Sequence, residues 1–145
     1  MKLPSTSLAE IMEQFMDCYI EQYQEKHGRL PIIDVDDDWP SPCLQHHSSE
    51  AEVFWQPIKS NDSLSFDNVE QALEIKLHSD IQTYFTTYFS ESISAKCFEG
   101  NLSLLLPWSI EDFKRLQENV IGHILMKKRL KQPLTIFFAV TDDEE

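Results

Sequence analysis

Glycine is scarce in this chain, with three residues in 145. A loop that cradles phosphate needs several glycines so that backbone N–H groups can close on the anion, so nucleotide-binding loops of that kind are excluded. Cysteine is equally sparse. Cys18, Cys43 and Cys97 are odd in number and far apart, and no Cys-x-x-Cys pair occurs. They read as reduced thiols in a cytosolic protein, not as a disulfide framework. The longest apolar runs are far too short to span a bilayer. Residues 1–7, Met-Lys-Leu-Pro-Ser-Thr-Ser, hold no apolar signal-peptide core. The expectation is a soluble chain that touches membranes only indirectly. Gly-x-Ser-x-Gly, Walker and His-Glu-x-x-His patterns are all missing. Nothing singles out a Cys–His nucleophilic pair either, so no enzyme is expected.

Basic residues are outnumbered. Twelve Lys and Arg face 25 Asp and Glu, for a formal net charge of −13. Phosphate backbones need a positive face, so nucleic acid is not an expected partner. A basic partner fits, as does a merely self-repelling surface. The imbalance is local. Residues 1–100 hold 18 acidic and 6 basic side chains, a net of −12, whereas residues 101–145 hold 7 and 6, a net of −1.

Hydrophobic residues at 41% and aromatics at 11% suffice for a core, and the length suits one domain over residues 1–145. The stretch Trp108–Val140 organises the chain. Ser109 with Asp112 three residues later forms a capping box, and Trp108 with Phe113 has the spacing of a hydrophobic staple. Ile110, Phe113, Leu116, Val120, Ile121, Ile124 and Leu125 then make one apolar stripe. Lys127, Lys128, Arg129 and Lys131 crowd the last turn, opposing the helix dipole, and Pro133 stops the helix. Leu134–Val140 reads as a buried strand.

Earlier in the chain, Ser7 and Glu10 cap a helix whose predicted buried stripe is Leu8, Ile11, Met12, Phe15, Tyr19 and Tyr23, with Gly28 as its stop. Glu13, Asp17, Glu21 and Glu25 form an acidic ridge on its other side, read as a solvated face. Residues 29–49 read as loop, Val53–Pro57 as an edge strand, and residues 58–65 as a polar loop. Two short helices follow, the first capped by Ser65 or Asp67 and the second opening at Ser79 or Asp80. A hairpin around Glu99-Gly-Asn101 comes next. The order α, β, α, α, β, β, α, β indicates an α+β fold, with helices packed on a mixed or antiparallel β-sheet.

Pro40-Ser-Pro-Cys43, Phe54-Trp-Gln-Pro57, Tyr84-Phe-Thr-Thr87 and the block Trp108-Ser-Ile-Glu-Asp-Phe-Lys-Arg-Leu-Gln-Glu-Asn-Val-Ile-Gly-His123, with Lys128-Arg-Leu-Lys131 behind it, resemble the Syd family. Val69–Asp80 is similar to the helix–connector–helix signature of the wider SUKH superfamily, which includes Knr4-like and toxin-immunity proteins. The resemblance implies an α+β fold and no catalysis. It also implies binding to the basic cytoplasmic loops of the SecY translocation channel, on the cytoplasmic side of the inner membrane, as a monomer that monitors or negatively regulates the translocase. The alternative within the superfamily is an immunity protein that neutralises a basic toxin. Family members continue past the position of Val140 with further strands and a helix, so the resemblance also implies a short member or a fragment.

Asp34-Val-Asp-Asp-Asp38 is the leading site candidate, with four carboxylates in five residues beside a stiff Pro-Ser-Pro. Alone it reads as a solvated loop; with the resemblance it reads as a dock for a Lys/Arg-rich segment. The run lacks the Gly and distal Glu of a calcium loop. Glu50 and Glu52 extend the candidate acidic surface, and Trp39 is the candidate aromatic anchor. Cys43, His46 and His47 lack an evident fourth ligand, so no metal or other cofactor is expected. His123 reads as a hydrogen-bonded packing residue.

Overall fold

The computed structural model describes residues 7–61 and 63–141. Both the N-terminal stretch before Ser7 and the acidic tail 142–145 lie outside them.

Local sequence signals set the helix ends. In α1 (Leu8–His27) the Ser7 hydroxyl accepts the Glu10 N–H at 3.2 Å, and Gly28 closes the helix at φ 70°, a left-handed conformation that glycine adopts without strain. The predicted stripe is only partly right. Met12 and Met16 are buried, whereas Ile11 and Phe15 stand 49% and 38% exposed. The contact face is narrow and centred on the methionines, which pack on Tyr88, Ile93 and Leu106. Helix α4 (Ile110–Arg129) starts as its capping box requires. Ser109 Oγ accepts the Asp112 N–H at 3.1 Å, and Asp112 Oδ2 accepts the Trp108 N–H at 2.8 Å. Trp108 and Phe113 are both buried but belong to different core clusters.

Two strands occupy the stretch read as loop: β1 (Ile32–Asp34) and β2 (Leu44–His47) flank β3 (Glu52–Trp55) in an antiparallel sheet ordered β1-β3-β2. The strand at residues 53–55 is therefore central, not an edge. Pro57 falls beyond its last paired residue and removes no ladder donor. Next, β4 (Ile58–Lys59) pairs with β5 (Tyr88–Phe89). Between them lie α2 (Asp67–Leu73) and α3 (Ser79–Thr87). The cap of α3 is His78, whose Nδ1 accepts the Asp80 N–H at 3.0 Å. Helix α2 has Phe66 at its cap position, with no side-chain cap bond. The hairpin forms from β6 (Ile93–Cys97) and β7 (Gly100–Leu104), turning through Phe98 and Glu99 one step earlier than expected, with Gly100 at φ 141°. Every pairing is antiparallel, and the expected sheet is split into three small ones.

The C-terminal stretch departs most from its sequence reading. Only β8 (Ala139–Thr141) is a strand, on the outside of β7. Residues 132–138 form a strap whose last residue, Phe138, accepts the Leu105 N–H at 3.0 Å in continuation of the β7–β8 pairing; Ile136 and Phe137 insert against the core while Leu134 and Phe138 stay about half exposed. Tyr84 pins the strap by donating its hydroxyl to the Phe138 carbonyl at 3.2 Å. Helix α4 ends before Pro133, because Lys131 turns left-handed at φ 56°. Of the stripe on α4, Phe113, Val120 and Ile124 are buried, whereas Ile110 and Leu125 are exposed.

The core is one body in three parts. Phe66, Phe85 and Phe113 centre the first, between α2, α3 and α4. The second lies under α1. The third gathers Cys43, Trp55, Phe89 and Trp108. Tyr84, Tyr19 and Leu64 each touch two of the clusters and join them. Phe66→Ala, a deletion at a fully buried ring, should lower unfolding free energy by about 3–5 kcal/mol in urea titrations. Leu125→Ala should change it by no more than about 0.5 kcal/mol.

Candidate functional site

The three-stranded sheet draws the candidate carboxylates together. In the β1–β3 ladder Asp34 sits directly opposite Glu52, and the Val35 N–H continues the pairing to the Ala51 carbonyl at 2.9 Å. The Asp36–Asp38 loop leaves from this end of the ladder. The turn holding Glu50 arrives there, closed by Ser48 and Ser49 N–H groups on the Glu52 carbonyl. Asp34, Asp36, Asp37, Asp38, Glu50 and Glu52 thus share one corner, all exposed. Among the described residues none of the six forms a salt bridge; the two ion pairs there are Lys59–Glu13 and His78–Asp80. Like charges held directly across a ladder repel, so the Asp34–Glu52 pairing costs the sheet some stability.

The loop is ordered from within and from behind. Asp36 Oδ1 accepts the Asp38 N–H at 3.0 Å, and the Asp36 carbonyl accepts the Trp39 N–H at 3.1 Å. Trp39 is half-buried, and its ring lies under the Arg115 guanidinium at 4.6 Å. Trp108 Nε1 donates to the Trp39 carbonyl at 3.3 Å, and Ser41 Oγ donates to the Trp108 carbonyl at 2.6 Å while accepting the Cys43 N–H at 3.0 Å. The proposed anchor is thus fastened to α4. Ser41, Trp108 and Arg115 were missed as supporting residues. The stiff Pro-Ser-Pro pointed to Ser41, but its partner lies 67 residues away. Beside the loop, Pro40, Pro42, Phe89 and Ile110 line an open apolar groove of about 350 Å³, with Glu111 on its rim.

The other candidates separate. Cys43 is fully buried, whereas His46 and His47 are exposed, with the His46 ring 4.8 Å from that of Phe54. No group of three or more potential metal ligands occurs among the described residues. Burial pushes the Cys43 thiol up to about 11, so it is protonated and unreactive near neutral pH. His123 stacks edge-on to Phe137 at 5.3 Å, but its buried Nε2 has no hydrogen-bond partner among the described residues, contrary to expectation. None of the helices among those residues is long and apolar enough to cross a membrane.

The fold is α+β, and the six candidate carboxylates are exposed in the segments at one end of the β1–β3 ladder. The profile described as Syd protein (SUKH-2) matches residues 9–145. A protein named Protein Syd from Colwellia psychrerythraea is 46% identical over 148 residues, covering 96% of this chain and 74% of the relative. The Protein Syd of Alteromonas mediterranea is 44% identical over 135 residues (92% and 73%), and that of Aliivibrio fischeri 38% over 138 (95% and 75%). This chain belongs to the Syd family.

The thiols give a direct check on this geometry. Cys18 and Cys97 are exposed and should react promptly with a chromogenic disulfide reagent, whereas Cys43 should react only on unfolding. The raised thiol pKa also has a stability consequence. The unfolded chain loses the Cys43 proton first, near the thiol's ordinary value of 9.0, so this contribution is intact below about pH 9 and is lost as pH rises through about 11. Thermal melts of Cys43→Ala should therefore lose less stability across that window than those of the parent chain.

Proposed function

We propose that this protein is a non-enzymatic binding module whose acidic corner docks on basic cytoplasmic loops of SecY, at the cytoplasmic face of the inner membrane, and that it monitors or restrains the translocase. The observation that carries this reading is the Asp34–Glu52 pairing. The fold holds two carboxylates across a ladder and adds four more around them, with no cation paired to any among the described residues. A Lys/Arg-rich loop entering the corner relieves that repulsion and gains Coulomb attraction at the same time. Membership of the Syd family supports this partner over a basic toxin, because the relatives named above carry the Syd name. Trp39 serves mainly to hold the loop against α4, exposing only part of its ring to a partner.

Electrostatic docking has a measurable signature. Capture on SecY-containing membranes should fall by about tenfold or more from low to high salt, and reversal of Asp36, Asp37 and Asp38 to Lys should abolish it. Capture indifferent to both would refute the acidic-corner reading. Asp34→Asn should weaken capture while raising unfolding free energy by up to about 1 kcal/mol, because it removes a like-charge pair.

A further inference from the structure

Cations collect at the far end of α4 from the acidic corner. Lys127, Lys128, Arg129 and Lys131 fall within five positions, in a chain with twelve Lys and Arg in all. Lys128 is engaged, its Nζ donating to the Leu73 carbonyl at 3.2 Å. Arg129 and Lys131 are exposed and Lys127 is half-buried. Attraction to the helix dipole explains cations in a last turn. It does not explain the apolar side chains among them. Leu125, Met126 and Leu130 are 52%, 62% and 57% exposed, and Leu134 is 47% exposed on the strap that follows. At 3.6 residues per turn, Leu125, Met126 and Arg129 share one outward face. A separate apolar groove of about 380 Å³, lined by Ile75, Ile81 and Ile124 with exposed Lys76 among its lining residues, shares only Leu134 with this surface. The carboxylates on the adjoining elements are Asp67 and Glu70 on α2, Glu74 at its end, and Asp80, 3.8 Å from His78 Nδ1; Glu70 is engaged, accepting the Leu77 N–H at 2.8 Å.

We propose that this end of α4 is a docking surface for an anionic phospholipid bilayer. Leu125, Met126 and Leu130 enter the boundary between headgroups and acyl chains, and Arg129 and Lys131 meet the phosphates. Cationic and aliphatic side chains intermixed on one helix end match an interface that is itself anionic above and apolar below. The strong overall negative charge does not forbid the contact. The acidic corner is tied to the start of α4 through Trp39, Trp108 and Arg115, and a helix of 20 residues spans roughly 30 Å, about three Debye lengths in ordinary salt. Lipid contact would thus be direct, not only through a membrane-protein partner.

Flotation of the full chain with phosphatidylcholine vesicles, with and without phosphatidylglycerol, tests this. Binding is expected to the anionic vesicles and to be lost in high salt. Each cation near such a surface is worth roughly fivefold in partitioning, so the double variant Arg129→Glu, Lys131→Glu should lower binding by well over tenfold. The control Lys96→Glu, on exposed β6, should change it little. Leu125→Ser with Met126→Ser should weaken binding with salt dependence retained, and far-ultraviolet circular dichroism should report an intact fold. No binding to anionic vesicles would overturn the proposal, as would equal binding to neutral ones or an equal loss in Lys96→Glu. Self-association without lipid that the double variant abolishes would assign the surface to a second copy and overturn it too.

Discussion

The start of α4 is the joint on which the rest of the structure depends. Trp108 is held by its own N–H on Asp112, by its carbonyl on Ser41 and by its indole on the Trp39 carbonyl. These bonds make the capping box of one helix also the anchorage of a loop nearly 70 residues earlier. The Trp108 ring packs edge-on to Trp55 at 6.0 Å, which sets the three-stranded sheet against the same point. The sheet also meets the rest of the body through Phe89, Ile58, Tyr19 and Leu64 in the same cluster.

What was legible in the sequence follows from the range of each interaction. Helix starts at Ser7 and Ser109, the Gly28 stop and the hairpin rest on contacts within a few residues, and all four stand. The fold class and family could be read because periodicity and motif blocks survive in order. The strands at residues 32–34 and 44–47 were hidden because proline and aspartate density suppresses local strand signals, while the pairing that forms them lies with β3. The stretch 134–140 misled for the opposite reason. Its β-branched and aromatic residues satisfy local propensity, yet Ile136 and Phe137 are used as plugs against helices rather than as rungs of a ladder. At the site, composition named the carboxylates; that Asp34 faces Glu52, and that Arg115 covers Trp39, are properties of tertiary register and leave no trace in spacing.

The charge distribution makes α4 an axis with unlike ends. Acidic residues gather where its first turn meets the sheet, and cations gather where it ends. Both placements run with the helix dipole, which is positive at the start and negative at the end, so backbone and side chains reinforce one another at each pole. Separation along one rigid element lets a strongly acidic chain keep a basic face without internal neutralisation.

The pairing of Asp34 with Glu52 has one more consequence. In the unfolded chain these carboxylates drift apart and their repulsion vanishes, so the native state alone bears it. A basic segment docking there, as proposed, would therefore stabilise the folded form selectively, by mass action. On that reading folding and partner capture are thermodynamically linked, because whatever relieves the repulsion also raises the stability of the fold.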